Sequence, residues 1–176
     1  MQTKACCFTG HRVLPAGREE EIRRRLVALV QARVAEGYGA FYDGGAQGFD
    51  LLAGETLLAL RQSGAPVQLR MALPCRDQAA DWPAWQQRRY QALLEAADEV
   101  IFLADAYTPG CMQQRDRYMV EHSDACIAYL IHRGGGTAYT VRCARRKGCP
   151  VYLLYPELEP PEEPEDPGQC RLQDYL

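Results

Sequence analysis

A chain of 176 residues with 47% hydrophobic content is the size of one domain and can bury a full core. No apolar run in it approaches the ~20 residues that a membrane-spanning helix needs, so no membrane partner is expected. The formal charge of −3 is uneven, since residues 157–176 hold seven acids and one base and leave 19 bases against 16 acids elsewhere. A body this mildly basic suits anionic small molecules and lacks the concentrated charge of a dedicated nucleic-acid binder, so nucleic acid is not expected as a partner.

The N-terminal stretch MQTKACCFTG has neither the apolar length nor the basic flank of a signal peptide, which points to a cytoplasmic protein. Lys4–Thr9 reads as a first strand, ending in Thr-Gly-His-Arg. Ile22, Leu26, Leu29, Val30 and Val34 recur at helical spacing, which predicts an amphipathic helix over 19–36 that Gly37 and Gly39 terminate. A strand over 41–43 then meets Gly44, Gly45 and Gly48, and an apolar helical pattern opens at Phe49 and runs to about Ser63. Further on, strands are predicted over 67–73, 99–103, 125–132 and 151–155, with helices over 84–97, 113–122 and 137–147.

Strands alternating with helices through short turns imply a parallel sheet covered on both faces, a Rossmann-like doubly wound α/β fold spanning residues 1–155. Residues 156–176 form a separate tail, and its segment 156–167, with five prolines and six acids, is expected to be extended and solvated. Of the eight cysteines, Cys6 and Cys7 are adjacent and the rest form no CxxC pair, so free thiols and no metal are expected.

Ligands in such folds sit beyond the carboxyl ends of the strands. The segments expected there are Thr9–Arg12, Asp43–Gly48, Pro74–Arg76 and Arg133–Thr137, three of which carry glycine. Glycine lets a turn bring backbone N–H groups close to an anion, and a helix N-terminus opening from such a turn attracts phosphate. Gly10, Gly44, Gly45, Gly48, Gly135 and Gly136 are therefore candidate ligand contacts, with Ala46 inside the same turn and the Thr9 and Thr137 hydroxyls as donors. Arg12 is a candidate phosphate fork. His11 is the best-placed titratable group, and Asp43 is the second candidate acid or base. Of Asp43 and Asp50, which flank the glycine turn, one is suited to hold a ribose hydroxyl or a metal-bound phosphate, and Asp50 otherwise caps the helix that it begins. Pro74, Arg117 and Tyr107, the last as a stacking ring, complete the set; Arg115 is the alternative to Arg117, an Asp–Arg surface pair being the simpler account of both.

TGHR after the first strand, GGAQGFDLLAGE after the second, DRYMVEHSDACIAYL and GGGTAYTV together resemble the YpsA-like family of the SLOG superfamily, whose relatives include the DNA-processing protein DprA and the LOG phosphoribohydrolases. The resemblance covers about residues 4–155. It implies a Rossmann-like domain that binds a nucleotide or nucleotide-derived ligand, ADP-ribose-like compounds included, in a sensing or regulatory role, and it allows a homodimer. It supplies no reaction. In the LOG signature PGGxGTxxE the glutamate serves catalysis, and Thr140 stands at that position here, which argues against LOG-type hydrolysis. A nucleotide-processing hydrolase using His11 or Asp43, and a DprA-like protein associated with single-stranded DNA, are the alternative readings.

Overall fold

A computed structural model of the chain describes residues 2–162. Six strands and five helices alternate: β1 (Lys4–Gly10), α1 (Glu19–Ala35), β2 (Tyr38–Asp43), α2 (Phe49–Gln62), β3 (Gln68–Leu73), α3 (Ala84–Ala96), β4 (Glu99–Phe102), α4 (Cys111–Glu121), β5 (Ala125–Tyr129), α5 (Gly135–Lys147) and β6 (Val151–Leu153). The strands form one parallel sheet in the order β4-β3-β2-β1-β5-β6. This is the doubly wound, Rossmann-like α/β architecture expected from the alternation.

Burial follows that order. Ala5–Phe8 of β1 and all of β5 are buried, as strands with neighbours on both edges and helices on both faces must be. The outermost strands β4 and β6 are half-buried. The two faces differ in side-chain size. Phe8, Phe41, Leu69, Met71, Leu73 and Ile127 point to the core shared with Ile22, Leu26 and Leu52. Ala5, Cys7, Ala40, Ala72, Cys126 and Ala128 point to the other core, which is completed by Met119, Val141 and Ala144. The seven cysteines among the described residues are free thiols, six of them buried as small apolar groups.

The differences from expectation lie at element ends. β2 begins at Tyr38, so Gly39 lies inside a strand and only Gly37 ends the preceding helix. β5 ends at Tyr129, and Ile131 donates its N–H to Nε2 of His11 at 3.0 Å. α4 and α5 each start two residues early, at Cys111 and Gly135. Pro156–Leu158, read as extended tail, forms a 3₁₀ turn. Its acids dock: Glu157 pairs with Arg25, and Glu159 and Glu162 with Arg145. Basic side chains on α1 and α5 flank the edge strand, and the acidic segment meets both. The rest of the predicted tail, 163–176, lies outside the described residues.

The winding reverses once. Strands β1 to β4 step outward in one direction, and α4 then returns the chain to β5 on the other side of β1. Crossovers leave the sheet on opposite faces at that point, so a crevice opens beyond the carboxyl ends of β1 and β5.

Candidate functional site

A cleft of about 820 Å³ occupies this switch point. Thr9–Val13 line it from the end of β1, Ala46 and Asp50 from the start of α2, and Tyr107 with the first two turns of α4 from the far side. His132–Thr137 close it from the end of β5.

The turn after β5 presents the feature best suited to an anion. Gly134 and Gly135 hold φ of +82° and +75°, and a Cβ on either would meet nothing within 4 Å. They turn the chain into α5 without a side chain over its N-terminus, which has no side-chain cap. The first-turn N–H groups of a helix lack intrahelical acceptors and carry partial positive charge. Arg12 and Arg133 line the same cleft and add full charges, while Thr137 lines it with its side chain buried.

The loop after β1 is held rigidly. A Cβ on Gly10 would stand 2.3 Å from the Phe49 ring, so glycine here lets β1 and α2 approach. His11 stacks on His132 with ring centroids 3.6 Å apart and meets Tyr129 edge-on. Burial, reinforced by the neighbouring His132, lowers its pKa to about 4. At neutral pH the imidazole is therefore uncharged, and its Nε2 is already occupied by the Ile131 N–H. The ring positions the turn that leads to α5; the proton-accepting nitrogen that a general base needs is engaged.

One wall of the cleft is a buried cluster in which Asp50, Asp116 and Arg115 line the cavity and Asp43 lies behind them. Arg115 donates from Nε to Asp116 Oδ1 at 2.7 Å and from Nη1 to the Gly44 carbonyl at 2.5 Å. Asp50 Oδ2 accepts the Ala46 N–H at 3.2 Å, and Asp43 Oδ1 accepts the Gly45 N–H at 2.7 Å. Burial pushes Asp50 up to about 6 against the pull of Arg115. Burial, with Asp50 nearby, drives Asp43 well above the carboxylate range, and burial also raises Asp116. Asp43 is wholly buried and is not part of the cleft lining. Neither Asp43 nor the engaged Nε2 of His11 is placed to exchange a proton with a molecule in the cleft.

The structure brings Thr9, Gly10, His11, Arg12, Ala46, Asp50, Tyr107, Gly135, Gly136 and Thr137 to one cavity. It leaves Gly44, Gly45, Gly48, Asp43, Pro74 and Arg117 out of its lining. The Gly44–Gly48 turn is filled from outside: a Cβ would meet Arg115 at Gly44, Leu73 and Tyr90 at Gly45, and the Arg12 carbonyl oxygen at 2.2 Å from Gly48. Pro74 ends a strand two places from the switch point. Arg117 bonds the Tyr139 hydroxyl between α4 and α5, whereas Arg115 is the arginine of α4 that reaches the cleft. Asp116, Arg133 and His132 also line it; their only sequence signal was proximity to the last glycine turn and to the DRYM segment. Tyr107 is 61% exposed at the cleft, as a stacking ring requires, with its N–H anchored to Asp77 Oδ1. Thr140, at the position of the LOG glutamate, is buried and donates its hydroxyl to the Gly136 carbonyl at 2.8 Å.

Fold and crevice define a doubly wound α/β protein with an anion-suited pocket at its switch point. The model of the YpsA family (YspA SLOG family) matches residues 17–148, and the chain belongs to that family. The uncharacterized SPbeta prophage-derived protein YoqJ of Bacillus subtilis is 26% identical over 152 residues, covering 78% of this chain and 89% of YoqJ. A UPF0398 protein of Halalkalibacterium halodurans is 27% identical over 129 residues, covering 72% of this chain and 68% of its own. Among solved structures, DNA processing protein A of Helicobacter pylori superposes with a TM-score of 0.63 at 18% identity, covering 98% of this chain and 72% of that one. DprA of Streptococcus pneumoniae gives 0.62 at 13% identity, with 98% of this chain and 56% of that one. These likenesses show the fold. The Helicobacter protein is described by its single-stranded DNA binding mode, so the comparison lends no support to the expectation that nucleic acid is not a partner. Among the described residues, no helix is long and apolar enough to cross a membrane.

Proposed function

We propose that the cleft binds a nucleotide or nucleotide-derived anion and that the protein acts as a sensor or regulatory module. The observation that carries this reading is the uncapped N-terminus of α5, entered through two glycines with open space around them and lining one cavity with Arg12 and Arg133. A phosphate there would accept backbone N–H groups while arginine side chains neutralise it. Exposed Tyr107 at the same cavity offers a face for a base.

A thermal-shift screen of nucleoside mono-, di- and triphosphates, NAD and ADP-ribose tests this, because a ligand of the folded state raises its melting temperature by mass action. Gly135→Asp would set a carboxylate at the helix N-terminus in open space, so it should abolish the shift while the variant still melts cooperatively. An undiminished shift in that variant would remove α5 from the site. Product analysis on each hit distinguishes a binding module from an enzyme.

The second reading, that the cleft seats one unit of a single DNA strand, is favoured by the shared fold of the Helicobacter protein. Steeply salt-dependent binding of an oligodeoxynucleotide, stronger than that of any mononucleotide, would support it.

A further inference from the structure

Part of the cleft wall is suited to something other than phosphate. Asp50 and Asp116 both line the cavity, each about 5% exposed, and Arg115 lies buried with them. Asp50 and Asp116 face Arg115 from one side and Arg12 from the cleft, and Asp50, raised to about 6, is mostly ionised at pH 7. A phosphate is better placed at the α5 turn than against these carboxylates. Among the described residues, no group of three or more His, Cys, Asp or Glu side chains could hold a metal ion by itself. Carboxylate oxygens in a cavity wall accept hydrogen bonds, so a neutral donor of hydrogen bonds fits this part of the cleft.

The acceptors are in place. Arg115 fixes Asp116 through Oδ1, and Oδ2 stands 3.5 Å from where a Cβ on Gly136 would lie, beside the first turn of α5. Asp50 is fixed through Oδ2 by the Ala46 N–H, and its Oδ1 takes no hydrogen bond from the described residues. Asp50, buried in the cavity wall with one oxygen tied and one free, is set to accept from a guest, and Asp116, which Arg115 and Thr140 both brace, stands beside it. The same cavity holds the anion-suited α5 turn, so a guest that meets both parts carries a phosphate and, next to it, hydroxyl donors. A sugar phosphate does so, and a carboxylate accepting ribose hydroxyls is a general solution in folds of this kind.

We propose that Asp50 and Asp116, braced by Arg115, accept the hydroxyl groups of a ribose, so that the cleft takes ribonucleotides and discriminates against their 2′-deoxy and 3′-deoxy counterparts. This rests on the reading of the cleft as a nucleotide site and adds the sugar to it.

Calorimetric titration of the wild-type protein with the four ribonucleoside 5′-monophosphates, their 2′-deoxy and 3′-deoxy counterparts, pyrophosphate and an oligodeoxythymidylate tests it without any substitution. Hydrogen bonds to a charged acceptor predict that loss of a hydroxyl weakens binding about ten- to a hundredfold. Asp116→Asn and Asp50→Asn should each shrink that ratio to within a few fold while pyrophosphate binding is retained or strengthened, because each removes a negative charge from the cleft wall. Equal affinity for ribo- and deoxynucleotides overturns the proposal and leaves the anion site standing. Preference that follows the base and ignores the sugar, or an oligodeoxythymidylate binding as tightly as the best ribonucleotide, also overturns it. Failure of every nucleotide and of pyrophosphate to bind overturns this proposal together with the reading beneath it.

Discussion

Two glycine-rich turns leave the same end of the sheet, Gly44–Gly48 after β2 and Gly134–Gly136 after β5, and they serve opposite purposes. Around the first, neighbours stand where each glycine's Cβ would be: Arg115, then Leu73 and Tyr90, then the backbone of Arg12. Around the second, Gly134 and Gly135 have nothing within 4 Å, and Gly136 has only an oxygen of Asp116 at 3.5 Å. Both turns use left-handed backbone, φ +75° at Gly48 and +75° at Gly135. The φ is the same and the surroundings differ. Glycine after β2 lets the protein pack against itself; glycine after β5 leaves a helix N-terminus open to a guest.

The sharpest way to break this contrast is Gly48→Ala. The new methyl would stand 2.2 Å from a backbone carbonyl oxygen at a positive φ, so the β1 loop must move. We expect a loss of roughly 3 kcal/mol or more in urea denaturation. A loss of only about 1 kcal/mol, the size expected for left-handed strain at Gly135, would mean that the two turns are alike.

Next in size is the pH dependence written by the buried groups around the cleft. Asp50 is raised from 3.8 to about 6, so the stability it contributes is full below about pH 4 and is lost as pH rises through about 6. His11 is lowered from 6.5 to about 4 and does the reverse, contributing above about pH 6.5 and losing that as pH falls towards 4. The two oppose each other over nearly one window. Asp50→Asn removes one side: relative to the wild type, its stability should rise by about 3 kcal/mol between pH 4 and 7, at about 1.4 kcal/mol per tenfold change in proton affinity. A pH-independent difference between the two proteins would show that Asp50 titrates normally.

The smallest effect belongs to the open turn. Gly135→Ala meets no neighbour, so only the left-handed backbone is strained, at about 1 kcal/mol. A chemical melt should separate it clearly from Gly48→Ala. Comparable losses at the two positions would mean that the second turn is packed in solution.

The contrast also marks what could be read from the sequence. Element order, helix phase and strand identity were legible, because the periodicity of residues such as Ile22, Leu26 and Val30 is a local record of which face is buried. The segments after β1 and β5 line one cavity, as their place beyond strand carboxyl ends implies. Pro74 was placed with them because sequence cannot show that β3 lies two strands from β1. For a similar reason sequence does not separate Arg115, which lines the cavity, from Arg117, which does not. Two positions apart on a helix, they face different sides, and which side meets the cleft depends on how α4 crosses the sheet. Asp116 read as half of an exposed pair, and its burial at 5% exposure became visible only once α4 and α5 were packed together.

By itself the sequence determined the alternation of strands and helices, the doubly wound class and the two loops that form the heart of the cleft, because each is written in short-range patterns of apolar spacing and turn chemistry. Tertiary structure alone decided which glycine turn is filled and which is open, that His11 is neutral and engaged, and that Asp50, Asp116 and Arg115 share one buried wall. Those properties depend on strand order and on helices crossing between distant segments. A residue's charge state and access are set by the atoms around it, and those atoms come from parts of the chain far away in sequence.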